Sequence, residues 1–194
     1  MSESLGDYRV LASYSCGSSV YGLADERSDK DITLIVEGGD IVDIRRIDNV
    51  DYFVFGVGYI RKLASFDPTA LDAFKVWVDN LTLLKDTLIR VDEGFKDEFL
   101  KITDIDWNAR FKDWLALNVG YFKSRLDDGG FDKSLYHVYR LRSMAERYRQ
   151  SGIFVSKFND EDLKLAEDYK KNKAERYKHL DSLKGIISYL EEQL

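Results

Sequence analysis

Short apolar runs separated by polar turns fill the N-terminal part of the chain, a pattern typical of β-strands. Runs rich in Val, Ile, Tyr and Phe predict strands over residues 8–15, 32–36, 41–47 and 50–55. The pair Gly38-Gly39 stands between the second and third runs and predicts a hairpin turn there. A helix over residues 57–65 is expected to follow the last strand.

Beyond these strands, apolar side chains recur every three or four residues, which predicts helices. The predicted helices cover residues 69–78, 86–102, 107–126, 133–150, 160–171 and 172–194. Pro68 stands before the first of them, where its missing N–H is harmless, and Asn159 is placed to cap the helix that begins at residue 160. Trp114 and Phe122 lie on a core stripe, with stacking against a nucleic-acid base as the alternative.

The last predicted helix has an apolar seam and charged faces that alternate in sign. The seam consists of Tyr177, Leu180, Leu183, Ile187 and Leu190. Alternating charge is typical of a solvent-exposed helix, and pairing of the seam with a second copy of the chain is the alternative. His179 is a lone histidine on this charged helix and is expected at the surface.

Composition limits the class of protein. The chain has 194 residues, of which 44% are hydrophobic and 33% charged, enough to bury the core of one domain or two small ones. A net charge of -6 argues against a broad basic surface that coats nucleic acid. No apolar run approaches the roughly 18 residues of a membrane span, and the start lacks secretory-signal features, so a cytoplasmic location is expected.

Cys16 is the single cysteine, which excludes an internal disulfide, and it is interpreted as a small buried residue.

The richest chemistry lies in residues 16–36, CGSSVYGLADERSDKDITLIV. Gly17 and Ser18 follow the first strand and are predicted to open a short helix that ends near residue 24. Ser18 or Ser19 can cap this helix, whose free N–H groups and dipole favour a bound phosphate. Gly17 would allow the backbone to approach that ligand closely.

Two acids, Asp29 and Asp31, stand at the start of the second strand and are separated by one residue. Side chains alternate along a strand, so both carboxylates are expected on one face, where they can hold one metal site. Asp51 begins the strand over residues 50–55 and is predicted to be a third carboxylate, as two divalent metals on a triphosphate require. The other nearby acids, interpreted as solvated hairpin residues, are Asp40, Asp43 and Asp48.

The pattern Gly17-Ser18, Gly22 and Ser28-Asp29-x-Asp31 resembles the active-site signature of the DNA polymerase beta-like nucleotidyltransferase superfamily, within it most closely the small prokaryotic and phage nucleotidyltransferases. The resemblance implies an α+β fold: a small mixed β-sheet flanked by helices over residues 1–105, the catalytic domain, followed by a helical domain over residues 106–194.

The same resemblance implies the chemistry. A nucleoside monophosphate would pass from a nucleoside triphosphate to a hydroxyl of an acceptor, with release of pyrophosphate. Gly17, Ser18 and Ser28 would contact the nucleotide, while Asp29, Asp31 and Asp51 would bind Mg²⁺ or Mn²⁺ and carry catalysis. The acceptor stays open among an RNA 3′ end, a protein and a small molecule, and the oligomeric state stays open too.

A second stretch, residues 133–150, aligns Lys133, His137 and Arg140 on one face of a predicted helix. It is similar to a Lys-x-x-x-His-x-x-Arg-Leu helix of the same nucleotidyltransferase group. This resemblance implies that His137 and Arg140 contact the nucleotide, with Arg140 compensating triphosphate charge and His137 hydrogen-bonding the ligand or an acid. A solvated helix face is the alternative.

Two other functions remain open from the sequence. One is a catalytically weak or inactive module that binds a nucleotide or a partner, such as a component of a toxin-antitoxin pair. The other is a metal-dependent hydrolase, because paired carboxylates alone do not select transfer over hydrolysis. The Gly17-Ser18 turn favours transfer, since a hydrolase has less need of a triphosphate-binding loop.

Overall fold

The computed structural model describes residues 4–5, 8–24, 28–67, 87–127 and 133–194. The chain divides into two compact units, Met1–Ile105 and Asp106–Leu194, and each is described by itself. Mixed α+β structure is confirmed, with strands in the first unit and helices in both. The helix predicted over residues 69–78 and Pro68 lie outside the described residues. Among the described helices, none has the length and apolar character to cross a bilayer.

One mixed sheet organises the first unit. Its strands are β1 (Ser4–Leu5), β2 (Tyr8–Cys16), β3 (Lys30–Val36), β4 (Val42–Ile47), β5 (Val50–Gly56) and β6 (Leu88–Val91). The order is β1-β2-β3-β5-β4, with β6 also paired to β2. β3 and β5 are parallel, and the other pairs are antiparallel. The four predicted strands are therefore confirmed to within two residues at each end.

Both faces of the central strands carry buried apolar side chains. A buried apolar cluster on one face contains Ile32, Leu34, Val36 and Val54. Because successive side chains point to opposite faces, Asp31 and Asp51 project from the other face. The alternation that builds this part of the core thus also aims both carboxylates away from it.

The hairpin predicted at Gly38-Gly39 is wrong, because β4 pairs with β5 and not with β3. The helix α1 (Val57–Ala64) follows β5, and the glycine segment lies at its start, where the Gly38 carbonyl accepts from Gly58 N–H at 3.1 Å. The segment thus satisfies an N–H group of the first helical turn, which has no intrahelical partner. The actual hairpin turn is Asp48-Asn49, between the partners Ile47 and Val50.

The helix predicted over residues 86–102 is wrong in its first part. Leu88–Val91 forms β6, in which Val91 pairs with Ala12 of β2, and the α-helix that follows, α2, covers Lys96–Thr103. A short 3-10 turn separates the two, and Asp92 caps it by accepting from Gly94 N–H at 2.9 Å. Backbone pairing with β2 outweighs the weak helical spacing of the apolar residues here.

The regular elements that the structure describes in the second unit are all helices or 3-10 turns. Its helices are α3 (Trp107–Asp127), α4 (His137–Ser151), α5 (Asp160–Lys171) and α6 (Leu180–Glu191), with 3-10 turns at Lys133–Tyr136 and Lys173–His179. Trp114 and Phe122 are each only 1% exposed, so their assignment to the core is confirmed and base stacking is excluded.

A buried carboxylate joins α4 to α5. Asp162 is fully buried and accepts hydrogen bonds from Arg142 Nε at 2.9 Å and Ser143 Oγ at 2.6 Å. Asn159 caps α5 as predicted, because its Oδ1 accepts from Asp162 N–H at 2.7 Å. The guanidinium and the hydroxyl compensate the desolvation of Asp162, so this contact fixes the pairing of the two helices.

His179 is buried, so its expected surface position is wrong. Tyr139 Oη lies 2.8 Å from its Nδ1, and Asp168 Oδ2 lies 3.0 Å from its Nε2. The cause is the 3-10 turn Lys173–His179, in which residues three apart lie on one face. Arg176 and His179 therefore turn inward together, and Tyr177, expected on the apolar seam, is 59% exposed.

Candidate active site

Four residues form one row across the sheet of the first unit. Cys16 of β2 pairs with Asp31 of β3, Asp31 pairs with Asp51 of β5, and Asp51 pairs with Arg46 of β4. Directly paired residues project from the same face of a sheet. Two of the predicted acids are therefore side by side on parallel strands, and an arginine stands next to them.

Arg46 contacts two of the three predicted acids. Its Nη2 donates to Asp29 Oδ1 at 2.7 Å, and its Nη1 lies 3.7 Å from Asp51 Oδ1. The Arg46 side chain is 56% exposed, Asp29 is 47% exposed and Asp51 is 25% exposed. One guanidinium thus bridges Asp29 and Asp51 at an open edge of the row.

Asp31 lies directly against the backbone of Gly17. A Cβ atom added at Gly17 would lie 2.6 Å from Asp31 Cγ and 2.9 Å from Asp31 Cβ. Gly17 also has a φ of +72°, in the left-handed region that favours glycine. The sequence suggested that this glycine admits a ligand, and the structure shows that it already admits the Asp31 side chain.

The turn after β2 is shorter than the predicted helix. Residues Gly17–Ser19 form a single 3-10 turn instead of a helix to residue 24, and no side chain caps it. Ser19 Oγ donates to the Cys16 carbonyl at 3.2 Å, so Ser19 is a donor here and not an N-cap acceptor. The left-handed φ of Gly17 and of Gly22, +79°, bends the chain before a longer helix can form. Ser18 stands in this turn, next to the acidic row.

Ser28 and Asp29 directly precede β3. Lys30 N–H donates to the Asn49 carbonyl at 3.4 Å, which ties the beginning of β3 to the turn between β4 and β5. The site residues predicted in the first unit, Gly17, Ser18, Ser28, Asp29, Asp31 and Asp51, thus belong to one end of the sheet.

Cys16 begins the row and is a buried free cysteine. It is buried, and Thr33 Oγ1 donates to its Sγ at 3.2 Å. Burial raises the pKa of the Cys16 thiol to about 12, and the nearby Asp31 carboxylate adds to the rise. A thiol with so high a pKa is neutral at physiological pH and is a poor nucleophile, so the interpretation of Cys16 as a small buried residue is confirmed.

The three alternative acids have other positions. Asp43 pairs with Val54 and accepts from Arg45 Nε at 2.8 Å, a hydrogen bond that lowers the pKa of this carboxyl. Asp40 forms an ion pair with Lys62. Asp48 occupies the turn after β4, with a φ of +54°. Among these acids and Asp51, the register places Asp51 beside Asp31.

His137 and Arg140 belong to the second unit. Arg140 is buried, and it donates from Nε to His137 Nδ1 at 3.1 Å and from Nη1 to Ser156 Oγ at 3.1 Å. Burial, with Arg140 and Lys170 nearby, holds the pKa of His137 well below its ordinary value. Because Arg140 can only donate, the neutral imidazole accepts at Nδ1 and carries its proton on Nε2.

Sequence reasoning missed Arg46. A signal for it existed: a two-residue turn at Asp48-Asn49 makes Ile47 and Val50 partners, so Arg46 must face Asp51. A hairpin at Gly38-Gly39 would instead pair β4 with β3, which does not place Arg46 beside Asp51.

Carboxylate oxygens are the ligands that Mg²⁺ and Mn²⁺ prefer, so the donor chemistry of Asp29, Asp31 and Asp51 fits a divalent cation. The guanidinium between Asp29 and Asp51 also shows that the edge accommodates a cation. Over the part of the chain that the structure describes, no three His, Cys, Asp or Glu side chains are arranged to hold a metal.

Comparisons of the sequence with protein-family models and with curated proteins give no match.

Proposed function

We propose that the protein is a metal-dependent nucleotidyltransferase with a polymerase beta-like fold. It transfers a nucleoside monophosphate from a nucleoside triphosphate to a hydroxyl of an acceptor. The observation that carries the proposal is the pairing of Asp31 with Asp51 on adjacent strands, beside the turn that begins at Gly17. The sequence resemblance supplies the reaction class, and the side-by-side position of two acids supports it.

Asp29, Asp31 and Asp51 would hold Mg²⁺ or Mn²⁺. The chemistry that such a cation would supply is orientation of the triphosphate and a lower pKa of the attacking hydroxyl. Backbone N–H groups of the Gly17–Ser19 turn, together with Ser18 and Ser28, would hydrogen-bond the phosphate oxygens.

The reaction forms a bond between the acceptor oxygen and the α-phosphorus. The bond from that phosphorus to the bridging oxygen of the β-phosphate breaks, and pyrophosphate leaves. Asp51 is proposed to accept the hydroxyl proton, because it stands in the row beside Asp31 and is 25% exposed, accessible to a substrate from the open edge.

His137 and Arg140 belong to the proposal through the sequence resemblance. Arg140 would compensate charge on the triphosphate. His137, neutral and protonated on Nε2, would hydrogen-bond the ligand or an acid as a donor.

A catalytically weak or inactive nucleotide-binding module is the second candidate. The observation that favours it is the engagement of Asp29 and Asp51 by Arg46, which compensates the acids without a metal. Such a module would bind a nucleoside triphosphate and transfer nothing.

The test is incubation with Mg²⁺ or Mn²⁺, each α-labelled nucleoside triphosphate, and cellular RNA, protein and metabolites as separate acceptor pools. We expect label in one pool, which identifies the acceptor as an RNA end, a protein or a small molecule. The double variant Asp29→Ala with Asp31→Ala is expected to lose the transfer, and Asp43→Ala, an acid outside the row, to keep it. Full transfer by the double variant would refute the site. Triphosphate binding without transfer to any pool would favour the second candidate.

A cytoplasmic location is part of the proposal, because the substrate is a nucleoside triphosphate.

A further inference from the structure

We propose that Arg46 is an internal competitor of the divalent cation: its guanidinium lies between Asp29 and Asp51, the position that a cation bound to both acids would take. This inference rests on the metal site of the proposed function. It adds a regulatory role for a residue outside the predicted site, and it predicts that the wild-type protein binds metal more weakly than its three acids allow.

The contacts of Arg46 support the competition. Its two terminal nitrogens face two different carboxylates, at 2.7 Å from Asp29 Oδ1 and 3.7 Å from Asp51 Oδ1. A metal that bound the same oxygens would need direct bonds to them of about 2.0 to 2.2 Å. A metal on these carboxylates would stand close to the guanidinium, and the two positive charges would repel each other.

The pairing of β4 with β5 fixes the position of Arg46 relative to the acids. The two-residue turn at Asp48-Asn49 holds β4 against β5, so Arg46 is opposite Asp51 whenever the hairpin is formed. The guanidinium therefore does not need a rearrangement of the backbone to reach the acids. The strand pairing alone places the guanidinium next to the acids.

The Arg46 side chain is exposed enough to move away from the two acids. Its side chain is 56% exposed, so rotation about its side-chain bonds can carry the guanidinium into water. Ion pairs this exposed contribute little free energy, so the competition adjusts metal affinity instead of blocking it. The fold as a whole does not depend on this contact.

Arg45 is a matched control on the same strand. It has the same charge, but it projects from the opposite face and is occupied by Asp43 at 2.8 Å and by the Tyr8 ring, 4.7 Å from its guanidinium carbon. Replacing Arg45 removes the same positive charge from the protein and leaves Asp29 and Asp51 bridged.

The experiment is a Mn²⁺ titration without nucleotide, with free Mn²⁺ measured by electron paramagnetic resonance. Arg46→Gln is expected to bind Mn²⁺ about threefold to tenfold more tightly than wild type, the factor for loss of one or two competing exposed ion pairs. Arg46→Lys retains a competing charge and is expected to bind more weakly than Arg46→Gln. Arg45→Gln is expected to match wild type, and Asp31→Asn to lose most of the binding.

A second measurement detects the displacement directly. In the nuclear magnetic resonance spectrum of the wild-type protein, the Nε–H signal assigned to Arg46 by its loss in Arg46→Gln is expected to shift on addition of Mg²⁺. The corresponding Arg45 signal is expected to stay in place.

The outcomes separate this inference from the proposed function. If wild type binds Mn²⁺, Asp31→Asn loses it and Arg46→Gln binds no more tightly, the metal site stands and the competition is refuted. If neither wild type nor Arg46→Gln binds Mn²⁺, the metal site itself fails and the competition fails with it. If Arg45→Gln and Arg46→Gln raise the Mn²⁺ affinity equally, the lost net charge explains the change, and the proposal is refuted.

Discussion

Alanine at Gly17 is expected to cost both stability and the geometry of the acidic row, whereas alanine at Gly22 is expected to cost stability alone. The two glycines have φ values of +72° and +79°. The left-handed region costs a residue with a Cβ atom about 1 to 2 kcal/mol. Because this cost is common to both positions, Gly22→Ala is the matched control for Gly17→Ala.

The two positions differ in the space around them. At Gly22, its two chain neighbours apart, no atom of the described residues lies within 4 Å of an added Cβ, but at Gly17 the Cβ would lie 2.6 Å from Asp31 Cγ. Asp31 or the end of β2 must shift, and overpacking of this kind typically costs about 1 to 3 kcal/mol. Gly17→Ala is thus expected to lose roughly 2 to 5 kcal/mol of unfolding free energy, against about 1 to 2 kcal/mol for Gly22→Ala.

Urea unfolding followed by circular dichroism measures the first effect, and Mn²⁺ titration measures the second. Gly17→Ala is expected to bind Mn²⁺ more weakly than wild type because Asp31 is displaced, while Gly22→Ala keeps the wild-type affinity. Equal losses of stability in the two variants, together with equal Mn²⁺ affinities, would refute the claim that Asp31 requires a glycine at Gly17.

Three further predictions concern single side chains. Asp51→Asn is expected to reduce nucleotide transfer on the order of 100-fold and Asp48→Asn to leave it nearly unchanged, since Asp51 alone of these two is in the row. Asp162→Ala is expected to lower the unfolding free energy by about 3 to 5 kcal/mol, because it leaves a partly buried guanidinium without its carboxylate, whereas Glu161→Ala, at the exposed side of that guanidinium, should cost at most about 1 kcal/mol. Burial and neighbouring cations hold the pKa of His137 down, so the unfolded chain takes up a proton there first and stability falls as pH drops below about 6.5; His137→Asn should reduce this fall.

A specific result would contradict each of these three predictions. A larger loss of transfer in Asp48→Asn would move the third acid to the hairpin turn. Similar urea midpoints for Asp162→Ala and Glu161→Ala would show that the buried carboxylate does not join α4 to α5. Unfolding curves of His137→Asn and wild type that shift equally between neutral and mildly acidic pH would show that the ring is protonated in the folded protein.

The parts of the fold that the sequence predicts are those with local causes. β2, β3 and β5 alternate or run apolar between turn residues, so their positions follow from the residues themselves. The length of the glycine turn does not follow in the same way. Whether a helix or a single 3-10 turn begins at Gly17 depends on the left-handed φ of Gly17 and Gly22. It also depends on Asp31 of β3, whose side chain lies against Gly17.

The errors have non-local causes. Leu88–Val91 becomes a strand because β2 offers it an edge, and that edge is more than 70 residues away in sequence. The 3-10 turn directs His179 inward, and the Tyr139 side chain that its ring contacts there lies 40 residues earlier in the chain. The position of Arg46 is intermediate, since it follows from the turn length once the correct hairpin is chosen.

The order of the strands has a consequence for how the chain folds. β4 and β5 are joined by two residues, whereas pairing β3 with β5 closes a loop that contains all of β4. Shorter loops close at lower entropic cost, so the hairpin that carries Arg46 and Asp51 is expected to form first. Asp31 then docks beside a carboxylate that already has a cationic neighbour. The folding chain thus avoids a stage at which two acids meet without compensation.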